Sequence, residues 1–181
     1  MFSMLRLLTS ISIICLFLAC TVLGATGLTN QHLAHLSTTS GGLVTCLSDP
    51  DVHALQEAIQ LTPCTLIYTF ASWSGHARYL IHDREYIQNV ARQYREAIES
   101  KRLAIVATQM DEPPAEGDQR WKYVINGNYW DSLAMFSSSS VQDKAAVEPT
   151  AESLALAFDA CLTSHPPTSI QSESSLPKDE L

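Results

Sequence analysis

The chain is short of charge, of clustered cations and of closely spaced cysteines, and each shortage removes a class of function. Only 17% of its 181 residues are charged while 46% are hydrophobic, which excludes a disordered polyanion and leaves enough apolar material for a core. Its 11 Lys and Arg stand against 19 Asp and Glu, a formal charge of -8, and they form no basic run. Nucleic-acid binding needs clustered cations that displace phosphate counterions, so no nucleic-acid partner is expected. No Cys-x-x-Cys and no EF-hand loop is present, and the six histidines read as scattered, without ligand spacing to a cysteine. On that reading no metal and no cofactor is expected. No internal repeat is visible, and the length fits about one domain.

The two ends carry the most specific signals. Residues 1–24 read as a secretory signal: Arg6 precedes a nearly continuous apolar run over 7–23, and Val22 and Gly24 are small enough for cleavage after Gly24. The run approaches the ~20 residues that span a bilayer, so an uncleaved anchor is the alternative, and membrane contact is expected only in that case. The last four residues, Lys178, Asp179, Glu180 and Leu181, spell the KDEL signal by which a receptor returns proteins to the endoplasmic reticulum (ER). The expected location is the ER lumen, with the KDEL receptor as a partner. Cys15 and Cys20 fall within the signal, leaving Cys46, Cys64 and Cys161. An oxidising lumen permits one disulfide among these three, with one cysteine left over; three buried thiols are the alternative.

Between the ends, strands and helices alternate. Residues 25–42, rich in Thr, Ser and Gly, read as a leader with at most one short turn; 43–162 read as the folded domain and 163–181, rich in Ser and Pro, as a flexible tail. A strand over 43–47 leads to a helix capped by Ser48 or Asp49, with Pro50 in its first turn and Val52, Leu55 and Ile59 on one face. A buried strand over 65–70 follows. One long helix is expected over 76–100, where Leu80, Ile87, Val90, Ala91, Tyr94 and Ile98 keep helical spacing. Then come a strand over 103–108, an acidic loop, a short helix over 119–124, and a hairpin of strands over 131–136 and 141–147. A final helix opens at Pro149 and Thr150 and aligns Leu154, Phe158, Cys161 and Leu162.

That order, βαβαβαββα, predicts an α/β fold with a mixed central sheet flanked by helices, and it resembles thioredoxin. The resemblance sharpens at Trp73, Ser74, Gly75, His76 and Ala77, where the protein disulfide isomerase family carries Trp-Cys-Gly-His-Cys between a strand and a long helix. Trp73, Gly75 and His76 match, Arg78 keeps the basic residue that usually follows, and Ser74 and Ala77 replace both cysteines. The family's buried acid, six residues before its first active-site cysteine, is Tyr68 here. Its cis-proline before the fourth strand is missing as well: no proline lies between Pro114 and Pro149, and Asn128, Tyr129 or Trp130 stands in its place.

Thiol exchange needs a thiolate nucleophile and a resolving thiol, so the resemblance implies a degenerate redox motif, no catalytic residue, and a protein that is not an enzyme. The function it implies is binding of unfolded or partner polypeptides in the ER, a chaperone-like role carried by Trp73, Tyr129 and Trp130. An adaptor for one specific secretory-pathway partner is a second reading, and a residual thiol–disulfide oxidoreductase working through Cys46, Cys64 or Cys161 a third. Ser74 lacks the flanking glycines of a nucleophile elbow and reads as a helix cap. His76 reads as a polar turn residue whose protonation the helix dipole disfavours. Asp111, Glu112, Glu116 and Asp118 read as a solvated loop rather than a calcium site.

Overall fold

Strand β2, Cys64–Phe70, is buried along its whole length and organises the molecule. The computed structural model describes residues 30–48, 51–137, 140 and 142–166. In chain order these form α1 (Gln31–Thr39), β1 (Thr45–Leu47), α2 (Val52–Leu61), β2, α3 (Gly75–Arg78), a π-helical turn (Tyr79–Asp83), α4 (Tyr86–Gln93), α5 (Arg95–Glu99), β3 (Leu103–Gln109), a 3-10 helix (Gln119–Tyr123), β4 (Asp131–Phe136), β5 (Lys144–Ala146) and α6 (Ala151–Ser164). The strands lie in the order β1-β3-β2-β4-β5. β1, β3 and β2 run parallel, β4 lies antiparallel beside β2, and β5 lies antiparallel beside β4. This is the expected mixed α/β sheet. The signal, the KDEL residues and the tail beyond 166 lie outside the described residues.

Alternation along β2 divides the core. Leu66, Tyr68 and Phe70 join one cluster with α1, α4 and α6, whereas Ile67 joins Leu55, Ile59, Val106 and Tyr123 on the opposite face. A strand buried on both faces and paired on both edges reads as a continuous apolar run, as this one does. The α2 helix starts where Asp51, rather than Ser48 or Asp49, accepts a 2.8 Å hydrogen bond from the His53 backbone. It stops at Thr62, whose extended backbone is what a following Pro63 favours.

Two stretches differ from the sequence reading. The expected leader contains α1, whose Leu33 and Leu36 are buried in the main core. Gly41 and Gly42, at φ 66° and 78°, end it by hydrogen bonding back to Thr38 and Ser37, the left-handed stop that glycine makes cheaply. The expected long helix over 76–100 is broken into three pieces. Arg84 N–H reaches back five residues to the Tyr79 carbonyl, and Glu85 then adopts a left-handed backbone at φ 49°. The Gln88 side chain satisfies the Ile81 carbonyl freed by the break at 2.6 Å. Apolar spacing runs through this break unaltered because the buried face continues on either side of it. Among the described residues no helix is long and apolar enough to cross a membrane.

Candidate functional site

The carboxyl end of β2 opens into the turn 71–74 and then α3. Ser74 supplies the cap, its hydroxyl accepting from the Ala77 backbone at 3.3 Å while the side chain stays buried. With its oxygen committed to that N–H, Ser74 has the local role expected of it. Trp73 projects outward, 60% exposed, and is steadied by its indole N–H donating to the Asp111 carbonyl at 3.1 Å. Asp111 in turn accepts from the Ser72 backbone at 2.6 Å and from Gln109 at 2.8 Å. Partial burial pushes the Asp111 carboxyl up, but the hydrogen bonds from Ser72 and Gln109 and the proximity of His32 outweigh it and hold the group below its ordinary value. Asp118 spends its oxygens on capping the 3-10 helix and on Arg120, at 2.9 and 2.6 Å. These two members of the acidic loop therefore fix chain geometry.

Across the junction stands the start of β4. Trp130 precedes that strand, 42% exposed, and its carbonyl accepts from the Ala71 backbone at 3.1 Å. Of Asn128, Tyr129 and Trp130, it is Trp130 that faces the turn in this way; among the described residues no peptide bond is cis. Tyr129 is half-buried, packed edge-on against Trp130 and Trp121 at 5.1 and 6.3 Å. Asp131, a residue the sequence reading passed over, sits where His76 and Tyr68 converge. Its carboxylate hydrogen bonds to His76 Nδ1 and lies 3.5 Å from the Tyr68 hydroxyl. Burial first, and then the Asp131 charge and hydrogen bond, push the Tyr68 phenol well above its ordinary value. His76 is thus paired across the sheet and is more than a polar turn residue; it also stacks on Tyr79 at 6.3 Å.

A cleft of ≈ 630 Å³ lies on the other side of the turn, lined by Gln31, His32, Trp73, Arg78 and His82 among others. His32 Nε2 lies 3.0 Å from the Ser72 carbonyl, which can only accept, so that nitrogen carries the proton. His32 Nδ1 and His82 Nε2 share a hydrogen bond at 2.8 Å, and His35 stacks on His82 at 4.2 Å. Burial, and after it the neighbouring His35, His32 and Arg78, lower the His82 pKa below 6.5. No spacing rule relates His32 and His35 to His82 in sequence; the docking of α1 creates the cluster.

The thiols are elsewhere. Cys64 at the start of β2 and Cys161 on α6 form a disulfide across 97 residues, with the two residues 0% and 4% exposed. Cys46 is left free, and burial pushes its thiol up to about 11, which makes it a poor nucleophile. Two expectations need correction. The reading of the chain as a non-enzyme rested on Ser74 and Ala77 standing where the redox motif has cysteines; the Cys64–Cys161 disulfide in a thioredoxin-like fold points to a thiol–disulfide site elsewhere, so that reading is overturned. The sequence reading looked for sulfur at the helix junction, whereas the fold unites sulfurs from the far end of β2 and the last helix. The reading of the histidines as without ligand spacing to a cysteine is corrected too: His165 follows Cys161 by four residues, and the two sulfurs and its imidazole lie within 4.8 Å of one another.

No family model and no curated protein matches the chain. Solved structures do. The J-Trx1 fragment of ERdj5 superposes with a TM-score of 0.50 at 16% identity, over 70% of this chain and 53% of that one. Mitochondrial thioredoxin 3 of Saccharomyces cerevisiae gives 0.46 at 12% identity, over 67% and 98% of the two chains. Human ERp44 in its zinc-bound form gives 0.46 at 12%, over 65% and 29%. At such identity the likeness to the J-Trx1 fragment speaks for the fold alone, and with the sheet order and the strand–turn–helix junction it establishes that the chain has a thioredoxin-like fold.

Proposed function

We propose that the chain is a protein of the ER lumen, related to the disulfide isomerase family, that binds unfolded or partner polypeptides over its Trp73–Ala77 junction. The observation that carries this reading is the placement of exposed aromatics. Of five large apolar side chains exposed among the described residues, Trp73, Tyr79 and Trp130 belong to this junction, and only Leu61 and Leu156 lie elsewhere. Rigid aromatics held by backbone hydrogen bonds give apolar contact area at low entropic cost. The Trp-Ser-Gly-His-Ala segment, the apolar run over 7–23 and the terminal Lys178 to Leu181 support the family and the compartment. Photo-crosslinking to an unfolded apolar peptide tests the surface: the Trp73→Ala/Trp130→Ala double variant should lose most of the crosslink. Equal crosslinking by the variant and the native chain would refute the surface. Removing residues 178–181 should send the protein into the medium, and retention of the truncated form would refute the lumenal assignment.

A second reading has its own observation, the disulfide. In it, Cys64 and Cys161 exchange with client thiols when α6 lifts from β2 and exposes them. Insulin reduction by the native chain, abolished in Cys161→Ser and kept in Ser74→Ala, supports it. Absence of turnover by the native chain leaves polypeptide binding as the function.

A further inference from the structure

We propose that Cys64, Cys161 and His165 form a zinc site when their disulfide is reduced, so that this corner of the fold alternates between a cross-link and a metal centre. The inference rests on the disulfide and its neighbour, and is independent of the polypeptide-binding surface.

The geometry is almost in place. His165 Nδ1 lies 3.9 Å from Cys161 Sγ. Tetrahedral zinc, with bonds of about 2.3 Å to sulfur and about 2.1 Å to nitrogen, sets its sulfur and nitrogen ligands roughly 3.6 Å apart and two sulfurs roughly 3.8 Å apart. The Cys161–His165 edge thus needs a shift of a few tenths of an ångström, and the Cys64–His165 edge, within 4.8 Å, closes by about 1 Å at most. Only the sulfur–sulfur edge must open, and reduction itself opens it, because unbonded heavy atoms rest at roughly 3.5–4 Å. The frame is held independently of the bond. Arg102 Nη2 donates to the carbonyls of Leu162 and His165, both at 3.2 Å, and pins the end of α6 to the start of β3.

The donor set is chemically selective. Two thiolates and an imidazole suit zinc and exclude calcium and magnesium, which require oxygen. Burial favours the metal further: two thiolates uncompensated in an apolar corner are costly, whereas with a dication they make a neutral centre. His165 is half-buried, so the fourth position faces solvent and takes water. In the closed form His165 Nδ1 lies 3.1 Å from the Cys161 carbonyl. Ligation uses the lone pair of Nδ1, and the ring proton then resides on Nε2.

The step balances. A dithiol reductant gives two electrons and two protons to the Cys64–Cys161 bond, becoming a disulfide and leaving two thiols. The zinc ion then forms two bonds to sulfur and one to nitrogen, and the two thiol protons leave to solvent. In the return step the two thiolates pass two electrons to a disulfide oxidant, which takes up two protons and leaves as a dithiol, while the Cys64–Cys161 bond forms again and the zinc ion departs to solvent.

The test uses the full-length chain and cobalt(II) as a spectroscopic stand-in. Reduced with a phosphine and titrated without air, the native chain should develop sulfur-to-cobalt charge-transfer absorption at one metal per chain, which zinc displaces. The oxidised chain should show none. His165→Ala should bind roughly tenfold or more weakly, Cys161→Ser should lose the charge-transfer band, and Cys46→Ser should match the native chain. A readout without substitution guards against misfolded variants: zinc should slow alkylation of Cys64 and Cys161 in the reduced native chain, while circular dichroism shows the fold retained. The proposal is overturned by a reduced chain that binds no cobalt, by affinity unchanged in His165→Ala, or by alkylation that zinc does not slow. A reduced chain that unfolds and is not refolded by zinc overturns it as well.

Discussion

The two ends of β2 hold separately the two things that thiol exchange requires. At the carboxyl end lie the strand-to-helix turn, the exposed Trp73 and Trp130, the His76–Asp131 pair and an adjoining cleft whose described lining has no thiol. At the amino end lie Cys64 and its partner Cys161, joined and buried. One end has access without a thiol; the other has thiols without access. Thiol exchange requires both at one place, so the comparison teaches that a resemblance in the junction does not locate the redox chemistry of the chain.

The sharpest way to break the comparison is to remove the sulfur end. Cys64→Ala/Cys161→Ala opens a loop of 97 residues and should cost about 2–5 kcal/mol, lowering the melting temperature by on the order of 10 °C. A melt within a degree or two of the native chain would show that the bond is not structural. Next in size is α1, which roofs the junction end. Leu36 is wholly buried, and Leu36→Ala should cost about 2–5 kcal/mol. An unchanged denaturant midpoint would return residues 31–39 to the status of a leader.

Acid gives a smaller, directional effect. The folded-state pKa of His82 is lowered below 6.5, so between the two values the unfolded chain binds more protons and stability rises with pH. The His82 contribution is fully present above pH 6.5 and is lost as pH falls below it. Asp111 and Asp118 also have lowered values, but below 3.8, so their contributions fade only in a more acidic window. Denaturation curves should show a modest slope as pH falls below 6.5 that His82→Gln flattens; an equal slope in the variant would place its origin elsewhere. The smallest stability effect belongs to Trp73→Ala, within roughly 0.5 kcal/mol because the ring is exposed. A loss of several kcal/mol would make Trp73 a core residue and move the binding surface.

Sequence reasoning reached the sheet more easily than the site. Residues 65–70 and 131–136 read as strands because buried strands are dense in apolar and β-branched side chains, and both were found to within a residue of their ends. Helix α1 was missed since only Leu33 and Leu36 mark it amid Thr and Ser, although Gly41 and Gly42 offered a stop signal. The break at Glu85 was hidden because Leu80, Ile87 and Val90 keep helical spacing across it. Asp131 escaped notice because nothing in the sequence ties a strand-leading acid to a histidine 55 residues earlier.

By itself the sequence determined the class of sheet, the strand-to-helix turn at Trp73–Ala77, the capping role of Ser74 and the absence of cysteine from that turn. Each of these follows from residue types acting over a few neighbours. Tertiary structure alone decided which cysteines pair, that His165 stands beside them, and that His32, His35 and His82 meet under α1. It also decided that Asp131 reaches His76. Those contacts join residues 47 to 101 positions apart, apart from the turn between Cys161 and His165, and separations of that length are set by the packing of helices on a sheet, which local spacing does not encode.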